Sequence, residues 1–318
     1  MKTMLLFIYC LSAAHCCSQT RYPSEKVQLA IETYAYLKGQ NAALKKVARQ
    51  FPSFTKQVSK LKKNAHPVFG RAERNIEDFL QQELNDYQFN AVEKHVDSLI
   101  NEQLKNPIEK KEYAGSFLEQ VKDKIAFSSN AAVPKGVISF AYHDAPHEEI
   151  TNGHIINFST ENHPKAEDAV LRLPIPKSWR AADEAEMPGT VQQFTSCDGK
   201  GNEKILIVIH ELSEEDQNMI LTEQSVSEMI PPQSRLIRTE NIKIDGMPGI
   251  MVEIEETLEL ALKKMKVRML QFMCTDKQKL YCLQGSIGPV ALNHNLDIHI
   301  QKYEPLFRLV AEGMEIEN

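Results

Sequence analysis

The sequence predicts an α+β protein: a small N-terminal helical bundle followed by an antiparallel sheet under helices, an α/β/α sandwich. Three observations carry this reading. From Ser24 to about Phe127, apolar residues recur at helical spacing, in stripes that are stable only when packed together. Further on, Ile250, Val252, Ile254, Leu258, Leu260 and Leu262 fall on even positions, with Glu253, Glu255, Thr257 and Glu259 between them. That period of two marks a strand with one buried and one wet face. Charge also divides the chain: Gln19 to Asn130 holds 18 Lys/Arg against 14 Asp/Glu, and the rest from Ala131 holds 18 against 29. With 318 residues, two domains are expected, and neither half is basic enough to suggest nucleic acid.

Residues 1–18 have the order of a secretory signal: Lys2, the apolar run Met4 to Leu11, then Ser12-Ala13-Ala14. Cleavage after Ser18 leaves Gln19 first. The rival is a lipid-anchored start at Cys16 or Cys17, opposed by His15 where a small residue is usual. No later segment is apolar enough to span a bilayer. The expected location is secreted or periplasmic.

Residues 19–130 are expected to form the helical domain. Ser24 caps a first helix carrying Val27, Ile31 and Tyr34 and ending at Gly39. Asn41 opens a second with Leu44 and Val47, stopped at Phe51-Pro52. Phe54, Val58 and Leu61 mark a third, broken before His66-Pro67. Two more carry Phe69 to Leu80 and Phe89 to Ile100, and a last one begins at Asn106-Pro107. Lys45, Lys46, Arg49, Lys56, Lys60, Lys62 and Lys63 run together with no acid among them. They read as the solvated face of two helices, or as a docking face for an acidic partner or anionic head groups.

Residues 131–165 are rich in breakers and read as a linker with short strands, Val137 to Tyr142 and His154 to Phe158. This stretch holds His143, His147, His154 and His163 beside Asp144, Glu148 and Glu149, the ligand types a zinc-like ion takes. Exposed loop histidines are the plainer reading, because the stretch offers no rigid frame for ligands.

Residues 166–318 form the second domain. A strand through Leu171, Leu173 and Ile175 leads to Trp179. A hairpin turns at Asp198 to Asn202; since a strand follows it, those glycines do not cradle a phosphate. Ser213 caps a helix reaching Ile230, stopped by Pro231-Pro232. After the turn Ile244 to Gly249 come the alternating strand, two more strands (Val267 to Cys274 and Leu280 to Ile287) and a helix from Glu304-Pro305. Ile254 is expected to lie inward under both helices, with Glu253, Glu255 and Glu259 in water. Cys274 and Cys282 face one another across the hairpin if its loop is centred on Gln278; otherwise they and Cys197 are buried thiols.

The order strand, Leu173-Pro174-Ile175-Pro176-Lys177-Ser178-Trp179, hairpin, helix, Ile-Asp-Gly-x-Pro-Gly turn, strands and closing helix resembles the PsbP-like α/β/α family over Ala169 to Asn318. The resemblance implies a mostly non-enzymatic accessory or binding protein, and it hands over no functional residue. It places the chain among bacterial envelope proteins.

No Gly-x-Ser-x-Gly elbow, His-Glu-x-x-His pair or Gly-x-Gly-x-x-Gly loop occurs. His210 and Glu211, adjacent on a strand, point to opposite faces. Asp245 reads as a turn residue, Trp179 as a plug at the sheet end, and the methionines from Met247 to Met273 as core filler. The expected function is therefore an exported, non-catalytic binding or accessory protein of the envelope, with a protein partner and no cofactor. The alternative is a secreted, metal-dependent or other hydrolase using the His143 to His163 loop.

Overall fold

The computed structural model describes residues 24–127, 133–182, 189–214, 220–230, 234–260, 263–276 and 278–317. Residues 1–23, including the expected leader with Cys16 and Cys17, lie outside the described residues. The chain divides into two compact units between Asp144 and Ala145, inside the stretch expected to be a linker.

In the first unit, Ser24 caps α1 (Glu25–Gln50), its hydroxyl accepting from the Val27 amide at 3.3 Å. This one helix replaces the two expected. Gly39 ends nothing, because it is buried between Leu37 and Gln40, and tertiary packing outweighs its roughly 1 kcal/mol helix penalty. The break expected at His66-Pro67 is instead a π turn (His66–Gly70) joining α2 (Thr55–Ala65) to α3 (Arg71–Glu83). The wider turn absorbs the missing Pro67 donor. α4 (Asp86–Gln103) starts on an Asn85–Gln88 capping box, and α5 is Lys111–Ile125, later than the expected start at Asn106.

The expected strand Val137 to Tyr142 is a helix, α6 (Lys135–Ala141), packed against α1 and α3. Gly136 through Ala141 are all buried, and an apolar run buried all round shows no period by which to tell helix from strand. Leu44, Val47, Val58, Leu61, Leu118 and Val121 close a second cluster between α1, α2 and α5.

The second unit opens with α7 (His147–Thr151) and two sheets. The small sheet has the order β1-β2-β10 (Ile155–Ser159, Val170–Pro176, Glu315–Glu317). The large one has the order β3-β4-β5-β9-β8-β7-β6. Its strands are β3 (Arg180–Ala181), β4 (Thr190–Thr195), β5 (Glu203–Glu211), β6 (Ser234–Ile244), β7 (Met247–Leu260), β8 (Lys263–Asp276) and β9 (Lys279–Ala291). Every neighbouring pair is antiparallel.

Between β4 and β5, α8 (Ser196–Gly199) is a single turn in which Cys197 and Asp198 take left-handed φ of 52° and 54°. The turn between β6 and β7 is only Asp245-Gly246, with φ of 48° and 76°, so Pro248 and Gly249 already belong to β7. These two left-handed residues match the sense of strand twist.

The helix expected from Ser213 is described only as α9 (Glu223–Met229), capped by Thr222. The final helix, α10 (Asp297–Glu312), starts two turns earlier than Glu304 and carries Pro305 inside.

These helices do not share a face. Val226 of α9 packs with Ile250, Val252, Ile254, Met273 and Cys282, whereas α10 covers Met251, Leu270, Phe272, Cys274 and Leu283 on the other side. Both faces of the central strands are therefore buried, and Glu253, expected in water, is 4 % exposed.

Candidate functional site

The polar chemistry of the second unit gathers under α10. On β7 and β8, Met251, Glu253 and Glu255 share that face with Arg268, Leu270 and Phe272, as the register Glu255↔Arg268 and Met251↔Phe272 requires. Arg268 donates to Glu253 at 2.7 Å, to Glu255 at 2.9 Å and to Asp297, at the start of α10, at 3.1 Å. Arg238, on β6, donates to Glu253 and to Glu304 of α10, each at 2.6 Å. Arg308 donates to Glu304 at 2.9 Å and also binds Glu240 of β6. Arg235 joins from the outer end at 3.1 Å to Glu255.

Every one of these groups meets a charge of opposite sign. Burial pushes the Glu255 carboxyl upward, but the hydrogen bonds and charges of Arg268, Lys266 and Arg235 together outweigh it and hold the group below its usual value. Such a lattice leaves no carboxylate poised as a base; it fastens α10 to three strands.

A second buried polar cluster lies at the α7 end. Glu149, 3 % exposed, accepts from the Ser178 amide at 2.7 Å and the Ser178 hydroxyl at 2.8 Å. Glu203 accepts from the Ser196 hydroxyl. Burial, and then the charges of Glu203, Cys197 and Glu149, push the Tyr303 phenol well above its usual range, so it stays protonated. The Asp198 amide donates to the Ser178 carbonyl at 2.9 Å, which ties the left-handed turn to the strand end beside buried Trp179.

The four histidines stand on separate supports. His143 lies against the Phe79 and Phe140 rings, at 5.5 Å and 5.9 Å between centroids. His147 begins α7, and His163 accepts from the Lys165 amide in a turn. Burial, then the Lys177 charge, lowers the His154 pKa. Asp144 is engaged by Arg71 and Asn75, and Glu149 by Ser178. Among the described residues no three His, Cys, Asp or Glu side chains come together as a metal would need. Of the candidate residues His143, His147, His154 and His163, the first belongs to the first unit and the other three to the second.

The cysteine pairing is corrected as well. Asp276 pairs with Lys279, so the loop has two residues rather than three. Cys274 then opposes Tyr281, and Cys282 opposes Met273. One residue of register puts the two thiols on opposite faces of the sheet, and Cys197, Cys274 and Cys282 are all buried, with no disulfide among the described residues. The methionines likewise divide: Met251 faces α10, and Met269 and Met273 face α9.

Arg268 was legible in principle. It takes an inward position in the alternation Arg268, Leu270, Phe272, Cys274, where a charge needs a buried partner. Glu149 and Tyr303 gave no such signal, since their partners come from distant segments.

No family model and no curated protein matches the chain. Solved structures do. PsbP of the cyanobacterium Synechocystis is 17% identical, with 52% of this chain and 93% of that chain covered at a TM-score of 0.36. LpqN of Mycobacterium tuberculosis, described as involved in cell envelope biogenesis, is 13% identical over 55% of this chain and 98% of that one, at 0.32. The Ran-binding protein Mog1p of Saccharomyces cerevisiae is 10% identical over 51% and 95%, at 0.33. Each of these neighbours covers about half of this chain. They assign no role to any of its residues.

Proposed function

We propose that the second unit is a non-catalytic protein-binding module of an exported envelope protein, and that it takes its partner along β6. The observation that carries this reading is the open sheet edge. β6 is the terminal strand of the seven-stranded sheet, and among the described residues no strand pairs with its outer side. Eleven residues of edge backbone are a template for an added strand, giving affinity through main-chain hydrogen bonds. The closed charge lattice supports the reading, since it holds the edge strand rigidly to α10 without leaving a reactive group. Export rests on Lys2, the apolar run Met4 to Leu11 and the small residues after it. Mass spectrometry of the mature protein is expected to find Gln19 first and no acyl chain; an intact Met1 rejects export.

The edge is testable by one substitution. Counting from the two-residue turn at Asp245-Gly246, Ile244 and Met247 form a hydrogen-bonded pair, so Asn241 and Lys243 direct their backbone groups outward. Asn241→Pro removes an outward donor and leaves the ladder to β7 intact. Pull-down from a native envelope extract is expected to recover a partner with the parent protein and to lose it with Asn241→Pro, at unchanged thermal stability. Equal recovery by both proteins rejects the edge.

A further inference from the structure

The seven-cation run of the first unit is not uniformly a solvated face. Lys46 turns inward and is 9 % exposed, its ammonium donating to the Leu104 and Asn106 carbonyls just past α4. That satisfies two carbonyls of the segment following α4 and removes Lys46 from the surface.

The remaining six stay out. Lys45 and Arg49 are one turn apart on α1, and Lys56, Lys60 and Lys63 form a stripe along α2, opposite the buried Val58 and Leu61. Lys62 sits beside them, half-buried. Among the described residues no ion pair engages any of the six. Some other cations of this unit are paired, Lys38 with Glu73 and Glu77, Arg71 with Asp144, and Lys122 with Glu119, but none of those lies in this run.

The packing of α2 on α1 also brings like charges together. Burial first, and then the neighbouring Lys45 charge, depress the Lys62 pKa below the usual lysine value. The fold therefore holds two ammonium groups in mutual repulsion with no acid between them, a cost that a bound anion relieves.

We propose that this α1–α2 face of the first unit docks on an anionic membrane surface, with Lys45 and Lys62 straddling a lipid phosphate. It goes beyond the β6 reading and does not rest on it. Two features favour lipid over an acidic protein. Five of the six cations are lysines, which act as point charges towards a diffuse negative layer, whereas carboxylate recognition favours the arginine fork. Between Lys45 and Lys63 there is also no tryptophan or tyrosine of the kind that centres a protein interface. The chain as a whole carries −6, so attraction must act locally, within roughly 10 Å at ordinary salt.

Sedimentation with vesicles tests it, using the full mature protein. Binding is expected to phosphatidylcholine vesicles containing about 30 % phosphatidylglycerol and not to pure phosphatidylcholine, and to vanish by about 0.5 M salt. Comparing the two vesicle types cancels any lipid anchor, which enters both alike. Lys45→Glu/Lys62→Glu/Lys63→Glu is expected to weaken binding by at least about tenfold, at roughly fivefold per lost charge. A charge-matched control on exposed positions of the second unit, Lys243→Glu/Lys263→Glu/Lys264→Glu, is expected to stay within about threefold. The milder Lys45→Gln/Lys62→Gln replaces the triple if circular dichroism shows that variant unfolded. Failure to bind the anionic vesicles at low salt overturns the proposal, as does equal weakening by the control. Binding of poly-glutamate through this face, with none to vesicles, overturns it in favour of an acidic protein partner.

Discussion

Arg268 and Glu253 form an ion pair at 2.7 Å with both side chains almost fully buried, on the adjacent strands β8 and β7. Burying two charges is expensive, and the pair survives because each has further partners: Arg238 on the glutamate, Glu255 and Asp297 on the arginine. Removing one member strands the other. Glu253→Ala is expected to cost about 3–5 kcal/mol, read from urea midpoints. Glu253→Met/Arg268→Leu is expected to cost less than either single change, because it leaves less uncompensated charge. If the double variant is the worst of the three, the lattice contributes attraction well beyond mutual compensation.

Ile254 points to the opposite face, into the cluster with Val226, Val252 and Met269. Ile254→Ala is expected to cost on the order of 2–4 kcal/mol. Glu255→Ala no longer counts as a neutral surface change, because it takes a partner from Arg268. It is expected to exceed the roughly 0.5 kcal/mol of ordinary surface substitutions while remaining below Glu253→Ala. Urea midpoints of the three variants fix the order.

What the sequence disclosed follows from where local periodicity carries information. Alternation located β7 and put Ile250, Val252 and Ile254 on one face, since strand period is a local property. It mistook Glu253 for a solvated residue because no local rule reveals that α10 returns to cover the second face. Gly39 and Pro67 read as stops, and tertiary burial and a π turn overrode them. Val137 to Tyr142 failed for the opposite reason, since a fully buried helix has no polar face to betray its period. The cysteine pairing rested on a loop length, and one residue of error there reverses every side chain beyond it. The histidine cluster was read from proximity in sequence, and its members fall on different elements, His147 at the start of α7 and His163 in a turn.

Acid should loosen the α10 attachment. Burial raises the Glu255 carboxyl less than Arg268, Lys266 and Arg235 together lower it, and the Arg308 hydrogen bond lowers Glu240. A carboxyl whose folded pKa lies below its unfolded value binds fewer protons when folded. Its stabilisation is complete above the unfolded value of about 4.5 and disappears as pH falls through the lower folded value. Unfolding free energy is therefore expected to fall below about pH 4.5. The slope should be shallower in Glu240→Gln/Glu255→Gln. A double variant with the parent slope assigns the acid sensitivity elsewhere.

The thiols are expected to remain reduced and unreactive in the folded protein. Burial raises both Cys274 and Cys282 to about 12, so the thiolate is scarce at neutral pH. Peptide mapping after alkylation at neutral pH is expected to find both unmodified natively. In denaturant without reductant, both should be modified along with Cys197. A Cys274–Cys282 disulfide in that digest would mean that the β8–β9 register differs from Cys274↔Tyr281.

Gly285 sets how closely α10 approaches the sheet. It lies in β9 between Ile205 and Leu270, under Phe307, which is fully buried. A methyl group built on it would stand 2.3 Å from the Phe307 ring, a distance no real contact tolerates. Glycine weakens a strand by roughly 0.5–1 kcal/mol relative to alanine, so its presence here trades local strand stability for close packing. Gly285→Ala alone is expected to cost about 1–3 kcal/mol by lifting α10 away. In a Phe307→Leu background, where the ring plane is gone, the same change should cost much less or become stabilising. The coupling between the two positions is then positive and measurable by a double-mutant cycle in urea. If Gly285→Ala costs the same in both backgrounds, Phe307 is not what excludes a side chain, and the limit lies in the β9 backbone itself.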